Sequence, residues 1–205
     1  MIIAHRVNFF NERSTEVFSI ADGIEFDIRD DGGEIIVQHD AFTGGQLFSV
    51  FLSFCDPSKF YIVNVKSEGI EERALALLEK FKISNFFLLD CSIPAIVKLG
   101  KRGEKRIAVR FSEYESAETV LAMANFVSWV WVDVFTCLPL LKKHEVRFRE
   151  AGLKLCMVSP ELQAQPEKLD MYKAQLELQD IKIDAVCTKI PFIDAWRGAL
   201  SLYPS

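Results

Sequence analysis

Short β-rich runs alternate with longer helical ones about eight times along this 205-residue chain, and that alternation constrains the fold more than any other feature. The runs read as strands are 2–5, 24–28 with a return at 35–38, 60–66, 86–89, 107–111, 127–135, 153–158 and 185–188. Between them the spacing predicts helices. Residues 70–81 place Ala74, Leu77, Leu78 and Phe81 on one stripe, with Glu and Lys on the other face. Residues 116–125, 139–150, 160–179 and 191–202 follow, three of them opening on a proline that suits a first helical turn. Strand-then-helix at this count predicts an α/β fold, a small (β/α)8 TIM-type barrel. A doubly wound open sheet alternates in the same way. The barrel is favoured by the near-eight strand count and by polar residues recurring at the C-terminal ends of strands. Neither G-x-G-x-x-G nor the P-loop pattern is present, which removes the usual nucleotide-binding reason for an open sheet. No linker or composition break interrupts the chain, so residues 1–205 read as one domain.

The bulk composition narrows the partners. Half of the residues are hydrophobic and 17 are Phe, enough for a large core and against disorder. The formal net charge of −5 argues against general affinity for nucleic acid or anionic membranes, so cations that meet an anionic substrate must be local. No apolar run reaches membrane-spanning length, and the opening strand Met1-Ile2-Ile3-Ala4 is too short for a signal peptide. The five cysteines, Cys55, Cys91, Cys137, Cys156 and Cys187, form no C-x-x-C pair and read as reduced core thiols of a cytoplasmic protein.

Strand residues two apart share a face, so Glu25 and Asp27 point one way and Ile24, Phe26 and Ile28 the other. If the apolar face packs on helices, two carboxylates point into the barrel, where they resist ionising together. A single divalent cation, Mg²⁺ or Ca²⁺, resolves that conflict with hard oxygen ligands. The alternative is an edge strand with a solvated acidic face. In the next strand Asn64 and Lys66 share a face. Asn64 is a third hard ligand and Lys66 a point charge for phosphate, or else a lysine snorkelling from a strand end. His5 and Arg6 end the first strand, and His39 and Asp40 end the return at 35–38. Two imidazoles on opposite sides of a phosphorus supply the base and the acid that phosphodiester cleavage requires. Arg6 would hold the phosphate. His144, among Lys142, Lys143 and Arg147, reads as a surface residue.

Other strand ends add pocket candidates. Trp129, Trp131 and Asp133 share a face, with packing of the indoles on helices as the alternative. Arg110 and Asp90 end their strands, and Ser159 precedes a proline where it either lines the pocket or caps the helix.

The strings Ala4-His5-Arg6, Ile24-Glu25-Phe26-Asp27-Ile28, Val37-Gln38-His39-Asp40 and Asn64-Val65-Lys66 together resemble the glycerophosphodiester phosphodiesterases, as does Asp184-Ala185-Val186-Cys187-Thr188. The wider superfamily includes phosphatidylinositol-specific phospholipase C and the spider-venom phospholipases D. The resemblance implies His5 and His39 as the acid–base pair, Arg6 and Lys66 as phosphate contacts, and Glu25, Asp27 and Asn64 as metal ligands. It implies a hydrolase of lipid metabolism that cuts a small glycerophosphodiester to an alcohol and glycerol 3-phosphate.

Three positions depart from the family pattern. Val7 stands where the family has glycine and is expected to crowd the substrate's approach. Asn64 replaces an acidic ligand. Only residues 41–60 separate Asp40 from Tyr61, so the family's cap insertion is missing and the site should be more open. Asn64 and Val7 keep a second reading in view, a non-catalytic phosphate-ligand binding protein on the same barrel. A third, an aldolase using Lys66 as a Schiff-base nucleophile, is disfavoured because two nearby carboxylates keep that amine protonated.

Overall fold

The computed structural model describes residues 1–11 and 14–200, the side chains of Thr15, Ala199 and Leu200 excepted. Among these described residues ten strands form: β1 (Ile2–Ala4), β2 (Gly23–Asp31), β3 (Glu34–Val37), β4 (Gln46–Leu47), β5 (Phe60–Val65), β6 (Phe86–Leu89), β7 (Ala108–Phe111), β8 (Trp129–Val132), β9 (Lys154–Val158) and β10 (Ala185–Thr188). Seven α-helices accompany them: α1 (Phe48–Ser53), α2 (Glu71–Lys80), α3 (Ile93–Lys101), α4 (Ala117–Met123), α5 (Lys142–Glu150), α6 (Leu169–Leu178) and α7 (Ile193–Leu200).

Eight of the strands are mutually parallel and close into a ring in the order β1-β2-β5-β6-β7-β8-β9-β10, with β10 returning to β1 through Ile2↔Val186 and Ala4↔Thr188. The expected (β/α)8 barrel is therefore the observed one. Its weakest join lies between β6 and β7, which meet through a single bridge, Leu88↔Ile107. Beyond that bridge Asp90 adopts a left-handed backbone, φ 59°, and among the described residues β6 and β7 form no further strand pairing.

Inside the ring the aromatic rings of Phe60, Phe87 and Trp129 meet at centroid distances of 5.1–5.8 Å and plug the N-terminal half. Outside, Ile24, Phe26 and Ile28 are wholly buried, and the Phe26 ring packs at a tilt against Phe48 and Phe51 of α1. Strand β2 runs three residues past the ring as a hairpin with β3. Its two-residue Gly32-Gly33 turn has positive φ at both positions, a geometry that glycine adopts without strain. This hairpin carries His39 to the barrel mouth.

Several boundaries differ from the sequence reading. Helix α3 lies in a stretch left unassigned; Ser92 caps it by accepting from Ala95 N, and Ile96 and Leu99 are its buried stripe. The span 139–150 narrows to Lys142–Glu150 because Leu141 is still extended, at φ −113° and ψ 160°. The span 160–179 breaks into two 3-10 turns before α6, because Ala164 is left-handed and Pro166 cannot donate to a continuing helix. The strand over 127–135 contracts to Trp129–Val132. Helix α7 is preceded by a 3-10 turn, Ile190–Phe192, and residues 201 and 202 of the expected span lie outside the described residues.

His144 is half-buried rather than a surface group. It occupies the first turn of α5, accepts from Leu141 N at 3.3 Å, and sets its ring edge-on to Phe111. All five cysteines are free thiols, but only Cys156 and Cys187 are core residues; Cys55 and Cys91 are half-buried and Cys137 is exposed. Among the described residues no helix is long and apolar enough to cross a membrane.

Candidate active site

At the C-terminal mouth of the barrel, ten of the residues singled out from sequence line one cavity of about 190 Å³: His5, Arg6, Asp27, His39, Asn64, Lys66, Asp90, Arg110, Trp131 and Asp133. Glu25 lies behind that wall. Its carboxylate accepts from Arg6 N at 2.7 Å and Asn64 Nδ2 at 3.0 Å, and stands 3.7 Å from His5 Nε2. Both Glu25 and Asp27 are 1% exposed, so the alternation argument holds and the solvated-edge alternative does not.

The local backbone explains how β1 delivers its residues. His5 N donates to Thr188 O at 2.9 Å, which extends the β1–β10 pairing by one step. The chain then turns sharply: Arg6 sits at φ 56°, and Val7 N donates to Glu25 O. A non-glycine residue held left-handed is a strained conformation of the kind concentrated at functional sites. The left-handed position belongs to Arg6, so Val7 needs no glycine-like freedom. Val7 packs against the core and does not line the cavity, which corrects the expectation of crowding.

Two acidic residues without a cation beside them would be costly at this depth, and the charges are arranged accordingly. Burial, then the charge of Asp27, pushes Glu25 up to about 7, against the hydrogen bonds from Asn64 and Arg6 N. Asp27 is compensated by Lys66 Nζ at 3.6 Å and Arg6 Nε at 4.0 Å. Asn8, missed in the sequence reading, clamps Asp27 twice: its Nδ2 donates to Oδ2 at 2.8 Å and its Oδ1 accepts from the Asp27 amide at 2.9 Å. It lies in a loop, where no periodicity marks a residue's direction.

The donor set fits a divalent cation. Glu25, Asp27 and Asn64 present hard oxygens from adjacent strands, and Asn64 Oδ1 is buried with no hydrogen-bond partner, an arrangement that costs about 1–3 kcal/mol unless something electropositive meets it. Among the described residues no cluster of three or more His, Cys, Asp or Glu has metal-holding geometry, so the fit depends on the asparagine.

The two imidazoles differ. Burial, then the charges of Arg6, Lys189, His39 and Lys66, lowers His5 to about 3 and leaves its ring neutral at pH 7. His39 is more open and contacts Asp40 Oδ1 through Nδ1 at 2.8 Å; that hydrogen bond in turn holds the Asp40 carboxyl below its ordinary value. Because Asp40 is ionised, Nδ1 is the donor and Nε2 is left for a ligand. Arg29 ties the two sides of the mouth together, donating to His39 O at 2.9 Å and to Lys66 O at 3.3 Å.

A chain of alternating charge crosses the opposite rim. Lys66 Nζ donates to Asp90 at 3.0 Å, and Arg110 bonds Asp90 with one nitrogen and Asp133 with another. Asp133 also accepts from Val134 N at 2.9 Å and Gln163 Nε2 at 2.7 Å, so it is fully occupied in holding Arg110. Trp131 reaches the cavity, whereas Trp129 belongs to the aromatic plug below. Ser159 neither lines the cavity nor caps: it is fully buried, donates to Glu161 and accepts from Trp196 Nε1 at 2.7 Å. Leu89, Val158, Leu162 and Gln163 complete the lining; Gln163 was hidden inside a stretch read as helix.

No sequence-family model and no curated protein sequence matches the chain. Solved structures do. A protein of Agrobacterium tumefaciens assigned to the glycerophosphoryl diester phosphodiesterases aligns at TM-score 0.68 and 15% identity, over 98% of each chain. A glycerophosphodiester phosphodiesterase from Thermotoga maritima aligns at TM-score 0.66 and 15% identity over 96% of each chain. Another from Agrobacterium tumefaciens gives 0.64 and 15%, over 95% of this chain and 98% of that one. Likeness over almost the whole length establishes that this chain shares their barrel fold.

Proposed function

We propose that this chain is a metal-assisted phosphodiesterase that hydrolyses a small glycerophosphodiester-like substrate to an alcohol and a phosphomonoester. The observation that carries the reading is the single cavity in which two imidazoles, His5 and His39, face a site ringed by Arg6, Lys66 and Arg110 and underlain by two buried carboxylates. The names of the solved proteins sharing the fold agree with it.

Arg6 and Lys66 hold the non-bridging phosphate oxygens. Neutral His5 takes a proton from the attacking water, and the new P–O bond forms as the opposite one breaks. His39, oriented by Asp40, acts in its imidazolium form and donates the Nε2 proton to the departing alkoxide. Glu25, Asp27 and Asn64 would hold the Mg²⁺ or Ca²⁺, which supplies neutralisation of the phosphoryl charge when bound. Five unpaired thiols fit a reducing, cytoplasmic setting, and a glycerophosphodiester substrate would place the reaction in lipid turnover.

Glycerol phosphate release from glycerophosphodiesters, measured with and without Mg²⁺, Ca²⁺ or Mn²⁺, tests the reading. His5→Ala and His39→Ala should each lower kcat by about 10²–10⁴-fold with the fold intact. Folded wild-type protein that binds an intact diester yet turns over none of them would favour the non-catalytic binding protein. The replacement of an acidic ligand by Asn64, which donates to Glu25, is the observation behind that second reading.

A further inference from the structure

Residues 25, 27 and 29 of β2 share a face, so Arg29 points the same way as Glu25 and Asp27, one step above them. The last parallel pair between β2 and β5 is Ile28↔Val65, which sets Arg29 at the rim of the ring. It is half-buried and does not line the reactive cavity. Its guanidinium reaches two carbonyls on the two sides of the mouth instead: Nε donates to His39 O at 2.9 Å, and a second nitrogen donates to Lys66 O at 3.3 Å.

The two recipients depend on it unequally. Lys66 N donates to Ile28 O at 2.9 Å, which continues the β2–β5 ladder, and its ammonium is paired with Asp90 and Asp27. His39 has no such anchorage. The β2–β3 pairing stops at Ile28↔Val37, and Gln38 N to Asp27 O is its last main-chain bond. Among the described residues, only side chains bond the His39 main chain. Its amide donates to Gln38 Oε1 at 2.8 Å, and its carbonyl accepts from Arg29. The Gln38 side chain otherwise meets Asp40 N and Gly44 O, so it shapes the loop that it belongs to. Arg29 is the side chain that ties His39 to a barrel strand. A guanidinium is a rigid planar fork that can serve two carbonyls at once, whereas a lysine keeps the charge on a single head.

We propose that Arg29 is a positioning residue, which sets His39 against the leaving oxygen by holding the His39 carbonyl and touches no substrate itself. This rests on the phosphodiesterase reading and adds the residue that governs proton donation. Because Lys66 keeps its own ladder bond and ion pairs, loss of Arg29 falls on kcat rather than KM.

The test compares two diesters of glycerol 3-phosphate in the wild type, Arg29→Lys and Arg29→Met. The methyl diester expels an alkoxide that must be protonated; the 4-nitrophenyl diester expels an anion that leaves without a proton. In both variants kcat for the methyl diester is expected to fall by about 10–100-fold, with KM within about threefold, while kcat for the nitrophenyl diester falls by less than about threefold. Equal losses on the two diesters, or wild-type rates in Arg29→Lys, overturn the assignment. Should the wild type hydrolyse neither diester, the phosphodiesterase reading fails, and the ring signals of the three histidines in NMR spectra still decide the tie. A displaced His39 signal in Arg29→Lys, with those of His5 and His144 in place, supports it. An unmoved His39 signal, or displacement of all three, overturns it.

Discussion

At the scale of single residues, the most consequential decision in this chain is the pairing of Glu25 with Asn64. Glu25 is buried beside Asp27 with no full cation of its own, and Asn64 Oδ1 is left without a partner. Glu25→Gln removes the like-charge conflict. Once the Asn64 amide turns over, the new Nε2 also donates to Asn64 Oδ1 while the remaining Gln oxygen still accepts from Arg6 N. In metal-free buffer this substitution should raise Tm by about 2–6 °C, the equivalent of roughly 1–2 kcal/mol in a domain of this size. Calorimetric melting checks it, and turnover of the same variant should fall because a ligand oxygen is lost. A stable, less active variant is what a strained functional site predicts. The parity of β2 made Glu25 and Asp27 legible from sequence, because alternation in a strand has only two outcomes. Asn8 and Gln163 were not legible, since neither a loop nor a pair of 3-10 turns imposes a period on side-chain direction.

At the scale of elements, the β6–β7 join distinguishes this barrel from a uniform one. Ladders on either side are continuous, with four paired positions for β5–β6 and four for β7–β8, against one bridge between β6 and β7. Native-state hydrogen exchange should therefore show the Asp90 and Arg110 amides exchanging about 100-fold or more faster than those of β5 and β9. Equal protection would mean that the seam is closed in solution. The alternation of strands and helices was enough to find the eight barrel strands, because buried parallel strands are nearly continuous apolar runs. Helix α3 escaped for the opposite reason. Only Ile96 and Leu99 are buried along its nine residues, and Pro94 and Gly100 sit inside it, so its stripe is short. The seam itself carries no sequence signal, since it depends on how Asp90 turns rather than on which residues precede it.

At the scale of the whole molecule, two kinds of carboxylate set opposing limits on stability. Burial alone would raise Asp90, yet the charges of Arg110 and Lys66 prevail and hold it below its ordinary value. A lowered folded pKa gives a contribution that is complete above the ordinary aspartate value of about 4 and is lost as the pH falls through the lowered one. Glu25 acts in the reverse sense. Its contribution is complete below about 4.5 and is lost as the pH rises through about 7. Metal-free Tm plotted against pH should peak in the mildly acidic range between these limits, and Glu25→Gln should flatten the alkaline side. A plateau extending from pH 5 to 9 in the wild type would contradict this.

Closure of the ring by β1 between β2 and β10 also has a consequence for synthesis. Ile2 pairs with Val186, so the β10 partner of β1 emerges from the ribosome only after the seven other strands of the ring have been made. Until then one edge of an apolar strand has no neighbour, and such edges recruit other chains. The long sequence separation of this pairing favours slow maturation, and a nascent chain of this kind would gain from chaperones that shield its opening strand.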